Sequence, residues 1–223
     1  MAHDYQLPDA YLERSVKREG RVHTVERLDP DSTALVVVDM QRYFMQKPYA
    51  GACPTAQEVV PNVNRLATAI RSAGGTAIWL QMEAPSVADD WGALRERYSM
   101  AAAQKRWGAL HPSNPGFALW PGLQIEEDDL RVVKTRYSAF IPGSSGLNEI
   151  LHSRGIGTLL IAGVATNACC ESTARDAMML DYRVAMISDC CAAATDDEHA
   201  AALNNFYLFF GDVLTTDEVL ALL

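Results

Sequence analysis

Unbroken apolar runs alternating with stretches of helical periodicity predict an α/β fold for this chain of 223 residues. The expected architecture is a doubly wound, mainly parallel six-stranded sheet with helices on both faces, three layers in αβα order. Two observations carry that expectation. Runs such as Ala34–Val38 and Thr158–Ala162 are continuous rather than alternating, as suits parallel strands buried on both faces. Between such runs apolar residues recur at helical spacing until glycine stops them, as in Val59, Val60, Val63, Leu66, Ala67 and Ile70 before Gly74-Gly75.

Taken in order, residues 1–30 are polar with a helix-like fragment at Asp9–Arg18. They read as an arm rather than core, of the kind that packs on a partner subunit. Residues 31–223 form the one domain. Ala34–Val38 is its first strand and ends at Asp39; a helix over Pro54–Ala73 follows. Thr76–Leu80 is the second strand. Pro85–Pro121 is irregular and rich in Trp, Pro and Gly, with a helical portion at Trp91–Trp107; insertions of this kind commonly cover active sites. Leu130–Val133 is a third strand, ending at Lys134. A helix at Ser144–Arg154, a strand at Thr158–Ala162, a helix at Ala168–Leu180 and a strand at Arg183–Ile187 continue the alternation. Ala194–Phe210 is a helix, Asp212–Leu214 the last strand and Asp217–Leu222 a closing helix.

Hydrophobic content of 49% and charged content of 21% are ordinary for one globular domain. A net charge of −9 argues against nucleic acid or an anionic membrane as partner. The five cysteines, Cys53, Cys169, Cys170, Cys190 and Cys191, fall in two adjacent pairs plus one, which is not a disulfide framework. With no apolar leader and no membrane span, the expected setting is the reduced cytoplasm.

The chemistry concentrates at three strand ends. Gly163-Val164-Ala165-Thr166-Asn167-Ala168-Cys169 carries a strand through a tight turn into a helix with cysteine in its first turn. Unpaired backbone N–H groups and the helix dipole favour a thiolate there. Asp39 and Lys134 also follow directly on strands, and ligands bind such sheets beyond the carboxyl ends of the strands. If the strands are neighbours, a carboxylate, an ammonium and a thiol converge. The lysine and the dipole are then expected to lower the thiol pKa, with the aspartate passing its proton to a leaving nitrogen. Separately, each residue has a plainer reading: a turn cap for Asp39, a solvated charge for Lys134, a buried small hydrophobe for Cys169.

The chain from Ala34 to Leu223 resembles the isochorismatase-like cysteine hydrolases, which include nicotinamidases, N-carbamoylsarcosine amidases, ureidoacrylate amidohydrolases and biuret hydrolases. The resemblance rests on Val36-Val37-Val38-Asp39-Met40-Gln41, on Val133-Lys134-Thr135-Arg136-Tyr137-Ser138-Ala139-Phe140, and on the turn ending at Cys169. It implies an Asp39, Lys134, Cys169 triad and a non-proline cis peptide between Val164 and Ala165. That turn would aim the N–H groups of Ala165 and Cys169 at a substrate oxyanion. By family position Phe44 is a candidate wall of the pocket. Asn205 and Tyr207, on the last long helix, could reach the far end of a substrate, and Gln41 and Arg136 are further polar candidates. Cys170, where relatives carry an aliphatic residue, reads as a small buried hydrophobe.

The histidine-containing metal motif of metal-dependent nicotinamidases is replaced here by Leu80-Gln81-Met82-Glu83-Ala84-Pro85. His3, His23, His111, His152 and His199 have no ligand spacing. No metal and no cofactor are therefore expected. The resemblance implies amide hydrolysis through a thioester, on a small linear carbamoyl or ureido compound, biuret or triuret by preference. A ureidoacrylate or N-carbamoyl amino acid hydrolase is the alternative, and a binding protein that kept the fold without the chemistry is the non-enzymatic one. Family and arm together suggest a homotetramer.

Overall fold

The computed structural model describes residues 2–84 and 91–223; the opening of the expected irregular insertion, Pro85–Asp90, lies outside the described residues. Six strands, β1 (Thr33–Val38), β2 (Thr76–Met82), β3 (Leu130–Lys134), β4 (Thr158–Val164), β5 (Arg183–Ala192) and β6 (Asp212–Leu214), form one sheet. Its order is β3-β2-β1-β4-β5-β6, and every pair is parallel. The chain moves outward from β1 to β2 and β3, then returns to β4 on the other side of β1. The order therefore reverses between β1 and β4, where doubly wound sheets open a crevice.

The helices are α1 (Asp9–Glu19), α2 (Arg42–Met45), α3 (Val60–Ser72), α4 (Gly92–Arg95), α5 (Met100–Ala109), α6 (Leu147–Ser153), α7 (Glu171–Met179), α8 (Asp196–Phe209) and α9 (Thr216–Leu222). Alternation within each strand divides the core in two. Leu35, Val37 and Trp79 pack with Val63, Leu66 and Ile70 of α3 and Val219 of α9. Ala34, Val36, Val38 and Leu80 pack with Leu147 and Leu151 of α6, Ala174 of α7, and Leu203 and Phe206 of α8. Both faces of the central strands are thus covered, which is why their sequences run apolar without a break. Among the described residues no helix is long and apolar enough to cross a membrane.

Three expectations need correction. The arm packs on its own domain: Val25 and Leu28 are core residues. The Asp212 carboxylate accepts from the Thr24 and Val25 amides, Arg18 donates to the Leu208 carbonyl, and His3 stacks on His199 with ring centroids 4.2 Å apart. The arm therefore no longer argues for a partner subunit. The helical portion at Trp91–Trp107 is two helices, because Ser99 caps a fresh start by accepting from the Ala102 amide at 3.2 Å. The cysteine segment opens with a π-helical turn, Thr166–Cys170, before α7 begins.

Gly163 is the tightest point of the sheet. It pairs with Val38 in register, at φ 111°, and a Cβ there would stand 2.1 Å from the Val38 carbonyl oxygen. No side chain fits that contact or favours that φ. Gly163→Ala is expected to destabilise the fold by about 3 kcal/mol or more, and to separate the ends of β1 and β4. Denaturant unfolding checks this; an unchanged midpoint would show that the two strands can part at no cost.

Candidate active site

Asp39 leaves β1 with φ 53°, in the left-handed region that non-glycine residues rarely occupy. Its amide bonds to the Leu80 carbonyl on β2, and its own carbonyl accepts from the Gln41 amide at 2.7 Å. The turn directs the carboxylate inward, where it is fully buried. Lys134, the last residue of β3, is also fully buried, and its Nζ lies 2.7 Å from Asp39 Oδ2. β3 does not neighbour β1; β2 lies between them. Two strand spacings amount to about 10 Å, so the lysine spans the end of β2 to reach the aspartate. On the way Nζ contacts Met82 Sδ at 3.6 Å and donates to the Arg136 carbonyl at 3.0 Å.

Cys169 stands in the turn after β4, beside β1, nearly buried and within hydrogen-bonding reach of both Asp39 and Lys134. Burial works against the Lys134 ammonium, but the Asp39 carboxylate and the Cys169 sulfur outweigh it and hold its pKa above the ordinary lysine value. Burial likewise pushes the Cys169 thiol up, to about 12, with Lys134 opposing the rise and Asp39 adding to it. The expectation of a lowered thiol pKa is therefore corrected. In this chamber the desolvation cost of a thiolate, plus the neighbouring carboxylate, exceeds what one ammonium and a helix end return. The resting group is a neutral thiol beside a carboxylate, and Asp39 Oδ1 is buried and accepts no well-aligned hydrogen bond among the described residues.

The Val164–Ala165 peptide is cis. Beyond it the Ala168 and Cys170 amides both bond to the Ala165 carbonyl, at 3.1 and 3.2 Å. Cys170 is fully buried, its sulfur 3.8 Å from the Ala162 carbonyl.

Two proposed substrate contacts are spent elsewhere. Gln41 is fully buried: its Nε2 donates to the Met82 and Phe117 carbonyls at 3.0 and 2.9 Å, and its Oε1 accepts from the Met82 amide at 2.7 Å. It clamps the end of β2, over which Lys134 passes. The Tyr207 hydroxyl donates to the Val22 carbonyl at 2.7 Å, fastening the arm to α8. Arg136 donates to the Thr135 carbonyl at 3.1 Å and stacks over Trp91, 5.2 Å from the ring centre. Asn205 is half-buried on α8, and its side chain makes no hydrogen bond among the described residues. At the other end of that helix His199 Nδ1 meets Thr166 Oγ1 of the cysteine turn at 2.9 Å. Phe44 stays a wall candidate, half-buried and edge-on to Tyr43.

Sequence reasoning overlooked the residue beside Phe44. Arg106 of α5 holds its guanidinium carbon 5.5 Å from the Tyr43 ring centre and 5.8 Å from those of Phe44 and Tyr98. Burial raises the pKa of the Tyr137 phenol and Tyr98 adds to the rise; Arg106 opposes it, and the Cys169 sulfur is also within electrostatic reach. Tyr137 thus links this aromatic box to Cys169. A separate cavity of about 1040 Å³ is lined by Ala84, Tyr98, Trp107 and Asn114 but by none of Asp39, Lys134 and Cys169; it shares only Tyr98 with the box.

Two outcomes follow from this geometry. In Lys134→Ala the thiol loses the group that opposes its raised pKa, so alkylation of Cys169 is expected to need still higher pH than in the wild type. Asp39 is also left buried and unpaired, which costs about 3–5 kcal/mol of stability. The rate of iodoacetamide labelling against pH checks the first effect, with circular dichroism showing that the variant is folded; superimposable profiles would remove the lysine from the thiol's electrostatics. Tyr207→Phe is expected to lower stability by about 1 kcal/mol and leave kcat/KM within about twofold of the wild type, a change of under ~0.5 kcal/mol. A selective loss of turnover would return Tyr207 to the pocket.

Residues 33–218 match the isochorismatase domain family. A probable inactive nicotinamidase of Arabidopsis thaliana is 37% identical over 160 residues, covering 71% of this chain and 79% of that protein. A ureidoacrylate amidohydrolase, RutB, of Caulobacter vibrioides is 33% identical over 176 residues, covering 73% of this chain and 77% of that protein. The crystal structure of a cysteine hydrolase from Pseudomonas syringae superposes with a TM-score of 0.79 at 28% identity, covering 87% of this chain and 93% of that one. With the parallel sheet and the three strand-end residues, these matches place the chain in the isochorismatase family of hydrolases.

Proposed function

We propose that this protein is a cysteine amidohydrolase acting on a small carbamoyl or ureido compound, with Asp39, Lys134 and Cys169 as its catalytic residues. The observation that carries this reading is the buried Asp39–Lys134 pair set against a neutral thiol. A carboxylate paired with a lysine beside a thiol is a base placed to receive its proton. As the substrate carbonyl docks, Asp39 takes the thiol proton and Cys169 Sγ bonds to the carbonyl carbon. The oxyanion so formed is stabilised by the amides of Ala165 and Cys169. The tetrahedral intermediate then collapses: the C–N bond breaks, Asp39 returns its proton to the nitrogen, and ammonia departs. Water adds to the carbamoyl thioester, again giving a proton to Asp39, and the proton passes to sulfur as the C–S bond breaks.

Within this class, biuret or triuret would need hydrogen-bonding partners for a neutral ureido end, for which Asn205 and Tyr207 are the candidates on α8. Tyr207 is engaged with Val22, which weakens the case for them. The name of the Caulobacter relative supports the alternative, a ureido acid. Against a retired, non-catalytic member of the fold stands the completeness of the charged pair and thiol, since an unused buried ion pair is a cost with no return.

Ammonia release from biuret, triuret, ureidoacrylate, N-carbamoylsarcosine and nicotinamide tests the class. At least one ureido or carbamoyl compound is expected to show a kcat/KM about tenfold or more above that of nicotinamide, a difference of about 1.4 kcal/mol in transition-state binding. Equal values, or preference for the aromatic amide, would overturn the ureido reading. Cys169→Ser is expected to abolish turnover while keeping the fold; retained activity, with Cys170→Ala inactive instead, would show that the nucleophile is the neighbouring cysteine.

A further inference from the structure

We propose that Arg106 is the specificity residue that binds a carboxylate at the far end of the substrate, making acidic ureido compounds preferred over neutral ones. The inference rests on the cysteine amidohydrolase reading for its chemistry, but on separate residues for its evidence. Arg106 is half-buried within a box of Tyr43, Phe44 and Tyr98. The chain holds 28 acidic residues, yet among the described residues none forms an ion pair with Arg106. Its polar neighbours are the phenols of Tyr43, Tyr98 and Tyr137. A guanidinium shielded from water in this way ordinarily has an anion beside it. Among the described residues no carboxylate supplies it.

The position of the box says where that anion comes from. Tyr43 and Phe44 lie on α2, the turn that begins just after Asp39-Met40-Gln41. Tyr137 follows Lys134 and Arg136, whose carbonyl holds the Lys134 ammonium. Tyr137 also senses both Cys169 and Arg106. The cation is therefore built into the walls around the nucleophile, not onto a remote surface. Aromatic rings around the guanidinium cover its faces and leave its edge of N–H donors as the part able to bond. A planar carboxylate fits that edge with two parallel charge-assisted hydrogen bonds. A neutral ureido end offers that edge one uncharged carbonyl acceptor beside N–H donors that cannot pair with it, and so binds it more weakly. The box thus selects for a ligand with the nucleophile's target carbonyl at one end and a carboxylate at the other.

The test compares matched pairs that differ only in that end. N-carbamoylglycine and ureidoacrylate are assayed beside their primary amides in wild type, Arg106→Gln and Arg106→Lys. Arg106→Gln is expected to lose about tenfold or more in kcat/KM on the acids, mostly through KM, and to change little on the amides. Arg106→Lys should recover part of the loss, since it restores charge without the fork. A purely structural role would lower both members of each pair alike and would overturn the proposal. Alkylation of Cys169 by iodoacetylglycine and by its glycinamide gives the same comparison without turnover. The wild type is expected to favour the acid, and Arg106→Gln to lose that preference. An acid-to-amide ratio equal in the two proteins overturns the anchor, even if ureido compounds are substrates. If no ureido compound releases ammonia but the ratio falls in Arg106→Gln, the anchor stands and the ureido reading is the one that fails.

Discussion

The ion pair between Asp39 and Lys134 is the constraint around which the rest of the site is arranged. Both side chains are wholly removed from water, and burial of two charges is costly enough that only tight pairing and full hydrogen bonding offset it. The surroundings meet that demand on the lysine side, while Asp39 Oδ1 is left without a well-aligned donor among the described residues. The Arg136 carbonyl and Met82 sulfur receive the ammonium. Gln41 holds the end of β2 on both its amide and its carbonyl, keeping open the path by which lysine crosses from β3 to β1. The left-handed backbone at Asp39 points the carboxylate into this path and accepts local strain to do so. Gly163 lets β4 lie against Val38, one residue before Asp39, so the cysteine turn arrives alongside the carboxylate.

That arrangement settles how the thiol is held at rest. A catalytic cysteine is often pictured as a standing thiolate, and the first turn of a helix suggests one. Here burial and the adjacent carboxylate keep the proton on sulfur, with the thiol pKa near 12. The consequence is an ordering of events. In the proposed reaction negative charge moves to sulfur only when a substrate brings its carbonyl to the turn, and passes onward to an oxyanion that backbone amides can receive. Lysine is needed throughout this passage, because it offsets negative charge wherever it resides in the chamber.

Much of this was legible in the sequence, for a definable reason. Strands buried on both faces announce themselves as apolar runs, and a charged residue or cysteine at the end of such a run has few places to go but the crevice. Asp39, Lys134 and Cys169 could therefore be singled out without coordinates, although the placement of β2 between β1 and β3 could not. Gln41 and Tyr207 were misjudged because their partners, the Met82 backbone and the Val22 carbonyl, are remote in sequence and belong to the main chain, which leaves no compositional trace. The arm was misjudged for a similar reason: Val25 and Leu28 are isolated apolar residues in a polar stretch, and their burial depends on the Asp212 carboxylate drawing the Thr24 and Val25 amides inward. β5 runs on to Ala192 through an irregular register with β4 that periodicity alone does not reveal.

Arg106 escaped notice because its meaning lies in what surrounds it. The stretch Gln104-Lys105-Arg106-Trp107 reads as the solvated side of an insertion helix. Its partners come from α2, from α5's own approach at Tyr98, and from the loop after β3, three segments that only the sheet brings together. The division of labour is then a physical one. Strand ends, hydrogen-bonded to neighbouring strands, hold Asp39, Lys134 and Cys169 in place, and catalysis tolerates little error in such positions. The insertion packs on them through aromatic faces and through cation contacts, Arg106 on Tyr43 and Phe44 and Trp91 under Arg136, that can be exchanged without disturbing the ion pair beneath. A change of substrate end group would thus need substitutions on α5 and α2, while the buried pair and the cysteine turn stayed as they are.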